Sequence, residues 1–221
     1  MPTRVARPPT PTSLSREVLA GWIEVPTTIV SDVTRGRLLV DPRIRPLRPF
    51  AGAKRLLGPA VTAWCEPGDI GAALYAVALA KAGDVIVIDA GGCLQSAVVG
   101  EHLCGAARRK GVAGLVANGA VRDVGAMSAW PDFPVFTLGV TARGPISIEH
   151  GAVNGPIVCG GVPVRPGDLI LGDDDGVVAI PREEAARWLA EARAKLALEA
   201  EWDRRLSAGE STLEVFGLPA P

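Results

Sequence analysis

Two apolar runs, DVIVID at residues 84–89 and GLVAN at residues 114–118, predict a pair of strands in the middle of the chain. The first enters the small-residue turn Ala90-Gly91-Gly92, a helix-like segment follows, and the second empties into Gly119-Ala120-Val121-Arg122-Asp123. The polar residues of this strand, helix, strand unit are concentrated in its connections. Units of this kind hold ligands at the carboxyl ends of their strands and at helix N-termini, so the chemistry is expected here.

The flanking pattern extends the same alternation of elements. Residues 1–13 (MPTRVARPPTPTS) are rich in Pro, Thr and Arg and read as a disordered arm. Ser15 suits the cap of a short helix holding Val18, Leu19, Trp22 and Ile23, and a second helix starts around Ile29. Residues 35–48, rich in Arg and Pro without periodicity, read as a surface loop. Residues 60–65 predict a strand, and Pro67-Gly68-Asp69 turns into a helix ending near Lys81, with Ile70, Leu74, Val77 and Ala78 at helical spacing. Beyond Asp123, a helical turn is expected at 127–130, a strand at 134–138 and one or two antiparallel strands within 147–164. Asp173-Asp174-Asp175-Gly176 reads as a hairpin turn between residues 169–171 and 177–180. Pro181 opens a long helix through about Leu206, with Glu183 and Glu184 at its start and Arg204 and Arg205 at its end, an order that suits the helix dipole. The reading is one α/β domain with mixed strand directions over residues 14–181, followed by a C-terminal helix and tail at 182–221.

Composition narrows the possibilities. A chain of 221 residues buries a sizeable core, and 48% hydrophobic with only 5% aromatic residues makes that core Val, Ile, Leu and Ala. A formal charge of -1 argues against nucleic-acid binding through a basic surface, though not against a protein partner. Cys65, Cys93, Cys104 and Cys159 are far apart with no CxxC pair, which suits reduced thiols in a cytoplasmic protein. No apolar run approaches the roughly 20 residues needed to span a bilayer. A methyltransferase-like nucleotide site is not expected, because Gly91-Gly92 alone does not make the glycine-rich loop such a site requires.

Three features converge in the central unit. Gly100-Glu101-His102-Leu103-Cys104 lies at or near a helix start, where free amides and the helix dipole favour a carboxylate. The planar fork of Arg122 suits an oxyanion. Glu101 and Asp123 are hard oxygen ligands suited, with water, to Mg²⁺ or Mn²⁺. Together they suit a 2-oxo acid whose keto oxygen gains negative charge as an enolate forms. Each also has a plainer reading: Arg122-Asp123 as a turn with a local ion pair, Glu101 as a solvated helix position, Gly91-Gly92 as a tight turn, Cys104 as a small packing residue, and His102 as a residue with no catalytic role.

The stretches GDVIVIDAGG, GEHLCGAARRKGVAGLVANGAVRDV, FPVFTLG and RPGDLILGDDDGVVAIP resemble the RraA-like family, over roughly residues 26–181. Its enzymes include the class II 4-hydroxy-4-methyl-2-oxoglutarate and 4-carboxy-4-hydroxy-2-oxoadipate aldolases, whose signature is an acidic residue, twenty arbitrary residues and then Arg-Asp. Here Glu101 is followed by the twenty residues 102–121 and then by Arg122-Asp123. The resemblance implies a swivelling αββα sandwich of the phosphohistidine-domain type with mixed sheets, assembled as a homotrimer or a hexamer. It implies that Asp123 ligates Mg²⁺ or Mn²⁺ directly, that Glu101 holds the metal through water, and that Arg122 binds the keto oxygen. Gly100 and the backbone amides of Leu103 and Cys104 would hold the pyruvate carboxylate. A glutamate of the C-terminal segment would reach a neighbouring subunit's site. Glu199 is the best candidate, with Glu201 behind it, while a buried stripe through Leu196 and Ala200 would leave Glu199 simply solvated. The family also contains regulators that inhibit ribonuclease E without catalysis, and these lack the acidic residue that Glu101 supplies here. A related lyase or hydrolase acting on another oxo acid is the third expectation.

Overall fold

The structure is a computed structural model, and it describes residues 4–5, 14–50 and 55–219. Strand β1 (Arg4–Val5) precedes helices α1 (Arg16–Trp22) and α2 (Thr27–Thr34), then strands β2 (Arg45–Pro46) and β3 (Leu56–Trp64). Helix α3 (Gly71–Leu79) leads to β4 (Val85–Asp89), and β5 (Ala97–Val99) with α4 (Glu101–Arg109) leads to β6 (Gly114–Val121). After α5 (Val124–Ser128) come β7 (Val135–Val140), β8 (Ala152–Val153), β9 (Ile157–Cys159) and β10 (Val162–Val164). The hairpin β11 (Leu169–Asp173) and β12 (Gly176–Ile180) then precedes α6 (Ala185–Ser207) and α7 (Thr212–Phe216).

Strands β3, β4, β6 and β7 run parallel to one another, while β11 and β12 extend the sheet antiparallel beyond β3 and β2 lies antiparallel on β7. The far edges then approach: Val40 N donates to Val177 O at 2.9 Å, and Ala179 N to Leu38 O at 3.0 Å. One mixed sheet therefore curls until it is nearly closed, and its opposite walls are the two β layers of the expected αββα sandwich. A second, two-stranded sheet, β9 with β10, supplies Ile157, Cys159, Val162 and Val164 to the enclosed core.

Alternation along each strand fills both sides of this wall. Val85 and Val87 of β4 face the enclosed core with Leu56, Val116, Phe136 and Ile170, whereas Ile86 and Ile88 face α3, α4 and α5. On the other outer wall, Leu169, Leu171, Val178 and Ile180 pack against Trp22, Ile29, Trp188 and Leu189 of the α1, α2 and α6 layer. Burial on both faces is why the central strands read as apolar runs without polar alternation.

Several expectations change. Residues 35–48 are not simply a surface loop: Val40 and Ile44 are buried, and Arg45–Pro46 pairs with β7 as an edge strand, where a proline is tolerated. Of the N-terminal arm, residues 4 and 5 pair in parallel with β8, and the rest lies outside the described residues. The helix of the central unit starts at Glu101, as expected, but residues 97–99 before it add an unforeseen strand, β5, beside β6. On α6 the buried stripe is Ala185, Trp188, Leu189 and Ala192; Leu196 lies at its margin and Ala200 is exposed, because the helix runs past the sheet that it covers. The C-terminal tail folds back, with Phe216 edge-on to Trp202 at 5.1 Å between ring centres.

Helix α2 has no capping side chain of its own at Pro26. Its missing cap comes from Asp173, 146 residues away, whose carboxylate accepts the Thr27 amide at 2.8 Å, the Thr27 hydroxyl and the Asp175 amide at 3.1 Å. Asp173→Asn sets an amide group against those buried donors. It is expected to cost about 1–3 kcal/mol, read as a lower urea midpoint with an unchanged slope.

Candidate active site

The site is assembled where β5 and β6 end side by side. Val99 pairs with Val121, and the ladder continues one step further as Arg122 N donates to Val99 O at 3.1 Å. Asp123 then turns the chain into α5 with a left-handed backbone, φ 60° and ψ 35°, a conformation that aspartate adopts more readily than most residues. The turn aims its carboxylate across at the start of α4. There Oδ2 accepts the Glu101 amide at 3.1 Å and lies 3.5 Å from Arg122 Nε.

Two glycines make room for this pair. Gly100 has an extended backbone that any residue could adopt, so its requirement is space: a Cβ there would run into Asp123 Oδ2 and stand 2.9 Å from Arg122 Cγ. On the other side, a Cβ on Gly144 would lie 2.5 Å from Arg122 Nη1. The guanidinium is thus threaded between two side-chain-free positions. The Arg122 and Asp123 side chains remain 40% and 41% exposed, open to a ligand.

They border a cleft of about 90 Å³, walled by residues 97–100 and by Ile70, His102, Leu103 and Pro145. The N-terminus of α4 opens onto it. Its Glu101 amide is taken by Asp123 and its Cys104 amide donates to Gly100 O at 3.1 Å, which leaves the amides of His102 and Leu103 without a protein acceptor among the described residues. The structure therefore brings together Gly100, Glu101, Leu103, Arg122 and Asp123. It places the Cys104 amide in the first turn's own hydrogen bond and adds the His102 amide in its stead. The Cys104 thiol is buried, and burial together with the Asp123 charge pushes it up to about 12, so it stays a neutral packing group.

Glu199 is not brought to this cleft within one chain. It lies on α6, in the other helical layer, and pairs with Lys195 at 3.2 Å, while Glu201 pairs with Arg204. No group of three or more His, Cys, Asp or Glu side chains suited to a metal occurs among the described residues. The partly exposed Asp123 carboxylate, with Glu101 next to it through its backbone amide, fits a hard divalent cation of the Mg²⁺ type, which keeps several waters and needs only one or two protein carboxylates.

Sequence reasoning missed Gly144, Pro145 and Asp69. The Pro67-Gly68-Asp69 string signalled a turn, but its aspartate does more. Asp69 is 3% exposed; its Oδ1 accepts the Gly71 amide at 2.7 Å and its Oδ2 the amides of Glu149 and His150, both at 2.9 Å. Burial pushes this carboxyl upward, but the Ser147 side chain and the three amides outweigh burial and bring it down to about 2.

Known proteins share this sequence pattern and fold. The family described as "RraA-like: Aldolase/RraA" matches residues 27–179. A Halalkalibacterium halodurans protein named "Putative 4-hydroxy-4-methyl-2-oxoglutarate aldolase" is 41% identical over 192 residues, covering 87% of this chain and 90% of its own. An uncharacterized protein from Pseudomonas syringae pv. tomato superimposes with a TM-score of 0.79 at 25% identity, covering 92% of this chain and 98% of that one. The RNA-processing inhibitor RraA from Thermus thermophilis superimposes with a TM-score of 0.63 at 30% identity, covering 72% and 93%.

Two outcomes are expected from the geometry. Gly100→Ala should leave the fold intact by circular dichroism but displace the Asp123 carboxylate and the Arg122 side chain, with ligand binding at the cleft falling at least tenfold by calorimetry. Asp69 has a folded-state pKa below its ordinary 3.8, so its contribution to stability is full above about pH 4 and is lost as pH falls toward 2. Between those limits wild-type protein should lose about 2 kcal/mol more than Asp69→Asn, measured by urea unfolding at each pH.

Proposed function

The chain belongs to the RraA-like family, and from that premise we propose that it is a divalent-metal-dependent class II aldolase. Its substrate would be a 4-hydroxy-2-oxo dicarboxylic acid, such as 4-hydroxy-4-methyl-2-oxoglutarate or 4-carboxy-4-hydroxy-2-oxoadipate, cleaved to pyruvate and a second oxo acid. The observation that carries this reading is the convergence of the Arg122 guanidinium, the Asp123 carboxylate and the free first-turn amides of α4 on one small cleft. The name of the Halalkalibacterium halodurans relative supports it.

In this reading the amides of His102 and Leu103, at the positive end of the α4 dipole, take the substrate carboxylate. Arg122 directs its donors at the neighbouring keto oxygen and stabilises the negative charge that grows there. The bond between C3 and C4 breaks and its electron pair passes into the pyruvate enolate; the C4 hydroxyl gives its proton to water as it becomes a carbonyl, and the enolate takes a proton from water at C3 to become pyruvate. Loss of carbon dioxide from oxaloacetate leaves the same enolate, so oxaloacetate decarboxylation is the expected side activity. Asp123 directly, and Glu101 through water, would hold Mg²⁺ or Mn²⁺, which when bound supplies Lewis-acid polarisation of the keto oxygen. The same reading makes the protein a cytoplasmic homotrimer or hexamer, with Glu199 of one subunit completing the site of the next.

A second reading, a regulator that binds ribonuclease E without catalysis, draws on the likeness to the Thermus inhibitor. Glu101, standing beside the Asp123 carboxylate at the start of α4, favours the enzyme. Pyruvate release from 4-hydroxy-4-methyl-2-oxoglutarate, followed with a coupled dehydrogenase, is expected with Mg²⁺ or Mn²⁺ and should vanish with EDTA. Arg122→Ala should lower kcat about 10²- to 10³-fold. Metal-independent turnover, or full activity in that variant, would overturn the mechanism.

A further inference from the structure

We propose that Asp69 is a positioning residue for Arg122, acting through the segment at residues 143–150; the kinetic part of this proposal rests on the aldolase reading above. Asp69 does not line the cleft, but its neighbour Ile70 does, as does Pro145 of the segment that it holds. The segment is pinned at two ends. At the first, Arg143 O accepts the amide of Ala97, on the strand beside β6. At the second, the amides of Glu149 and His150 converge on Asp69 Oδ2, while Ile146 N donates to Gly68 O at 2.8 Å and Ile70 N to Ser147 O at 3.1 Å. Between the pins stands Gly144, the wall against which Arg122 Nη1 rests.

Polar anchoring matters here because apolar anchoring is missing. Ile146 is 89% exposed and Ile148 is 62% exposed, so the large side chains of the segment are mostly unburied within the chain. The aspartate also fastens the segment to rigid structure, since its other oxygen holds the amide of Gly71, the first residue of α3. Arg122 needs this wall. Its carboxylate neighbour in the chain is Asp123, at 3.5 Å from Nε, a contact too long to fix a planar fork. With the Gly144 wall loosened, the guanidinium is free to swing away from the keto oxygen it must serve, and displacements of about 1 Å at a reacting group cost on the order of a hundredfold.

The test compares Asp69→Asn with Asp173→Asn, which removes an equivalent carboxylate-to-amide anchor on the opposite helical layer. The first readout is the nitrogen-15 resonance of Arg122 Nε in substrate-free protein, assigned with Arg122→Lys. Asp69→Asn should shift or broaden it, and Asp173→Asn should leave it in place. The second readout is kinetic: Asp69→Asn should lower kcat/KM about ten- to a hundredfold, and should cause no further loss when added to Arg122→Lys. Asp173→Asn should lower Tm comparably with kcat/KM unchanged. If Asp69→Asn does not fold, Gly144→Ala moves the same wall directly and should displace the same resonance. An unmoved Arg122 signal, or additive losses in the double variant, would overturn the proposal. Absence of pyruvate release in wild-type protein would instead sink the aldolase reading, and the Arg122 resonance would still decide the positioning claim.

Discussion

A carboxylate that accepts backbone amides from a distant stretch of chain is the interaction on which this molecule depends. Burial of both faces of the curled sheet consumes the apolar residues of the strands, so the connections must be fixed by polar means. Asp173 caps α2 across 146 residues, Asp69 ties residues 149 and 150 to the start of α3, and Asp123 joins the end of β6 to the start of α4. Each bond offsets the desolvation of donors that would otherwise be stranded. Two of the three lie around the same cleft.

That arrangement explains how an ordinary strand, helix, strand unit acquires chemistry. The sheet delivers two strand ends side by side, and the backbone turn at Asp123 converts a structural bond into a partly exposed carboxylate. The same carboxylate that organises the helix start is the one proposed to hold a cation, so the free amides of the first turn and the proposed cation site share one hinge of geometry. Glycines at 100 and 144 supply the space, one on each side of the arginine.

Much of this was legible from residue order. Residues 84–89 and 114–118 announce strands because double burial leaves them without polar alternation, and Glu101, Arg122 and Asp123 are singled out by the resemblance to the RraA-like aldolase signature rather than by residue type alone. The unread parts are those decided by partners far along the chain. Val40 and Ile44 sit in a stretch with no period of its own and are buried because residues 177–179 pair beside them. Helical spacing says which side of α6 faces inward but not where the sheet beneath it stops, which is why Ala200 emerges into solvent. Asp69 looks like any turn aspartate until the amides of residues 149 and 150 arrive at it.

The left-handed backbone at Asp123 also bears on how this site can evolve. In that conformation longer and branched side chains are penalised, whereas aspartate, asparagine and glycine are admitted. Glutamate, the nearest chemical substitute, would carry the penalty and overreach the Glu101 amide. Drift at this position therefore leads to a neutral amide or to nothing, and in either case away from the metal chemistry proposed above. A lineage that lost the carboxylate would keep its arginine but leave the Glu101 amide, at the start of α4, without that acceptor.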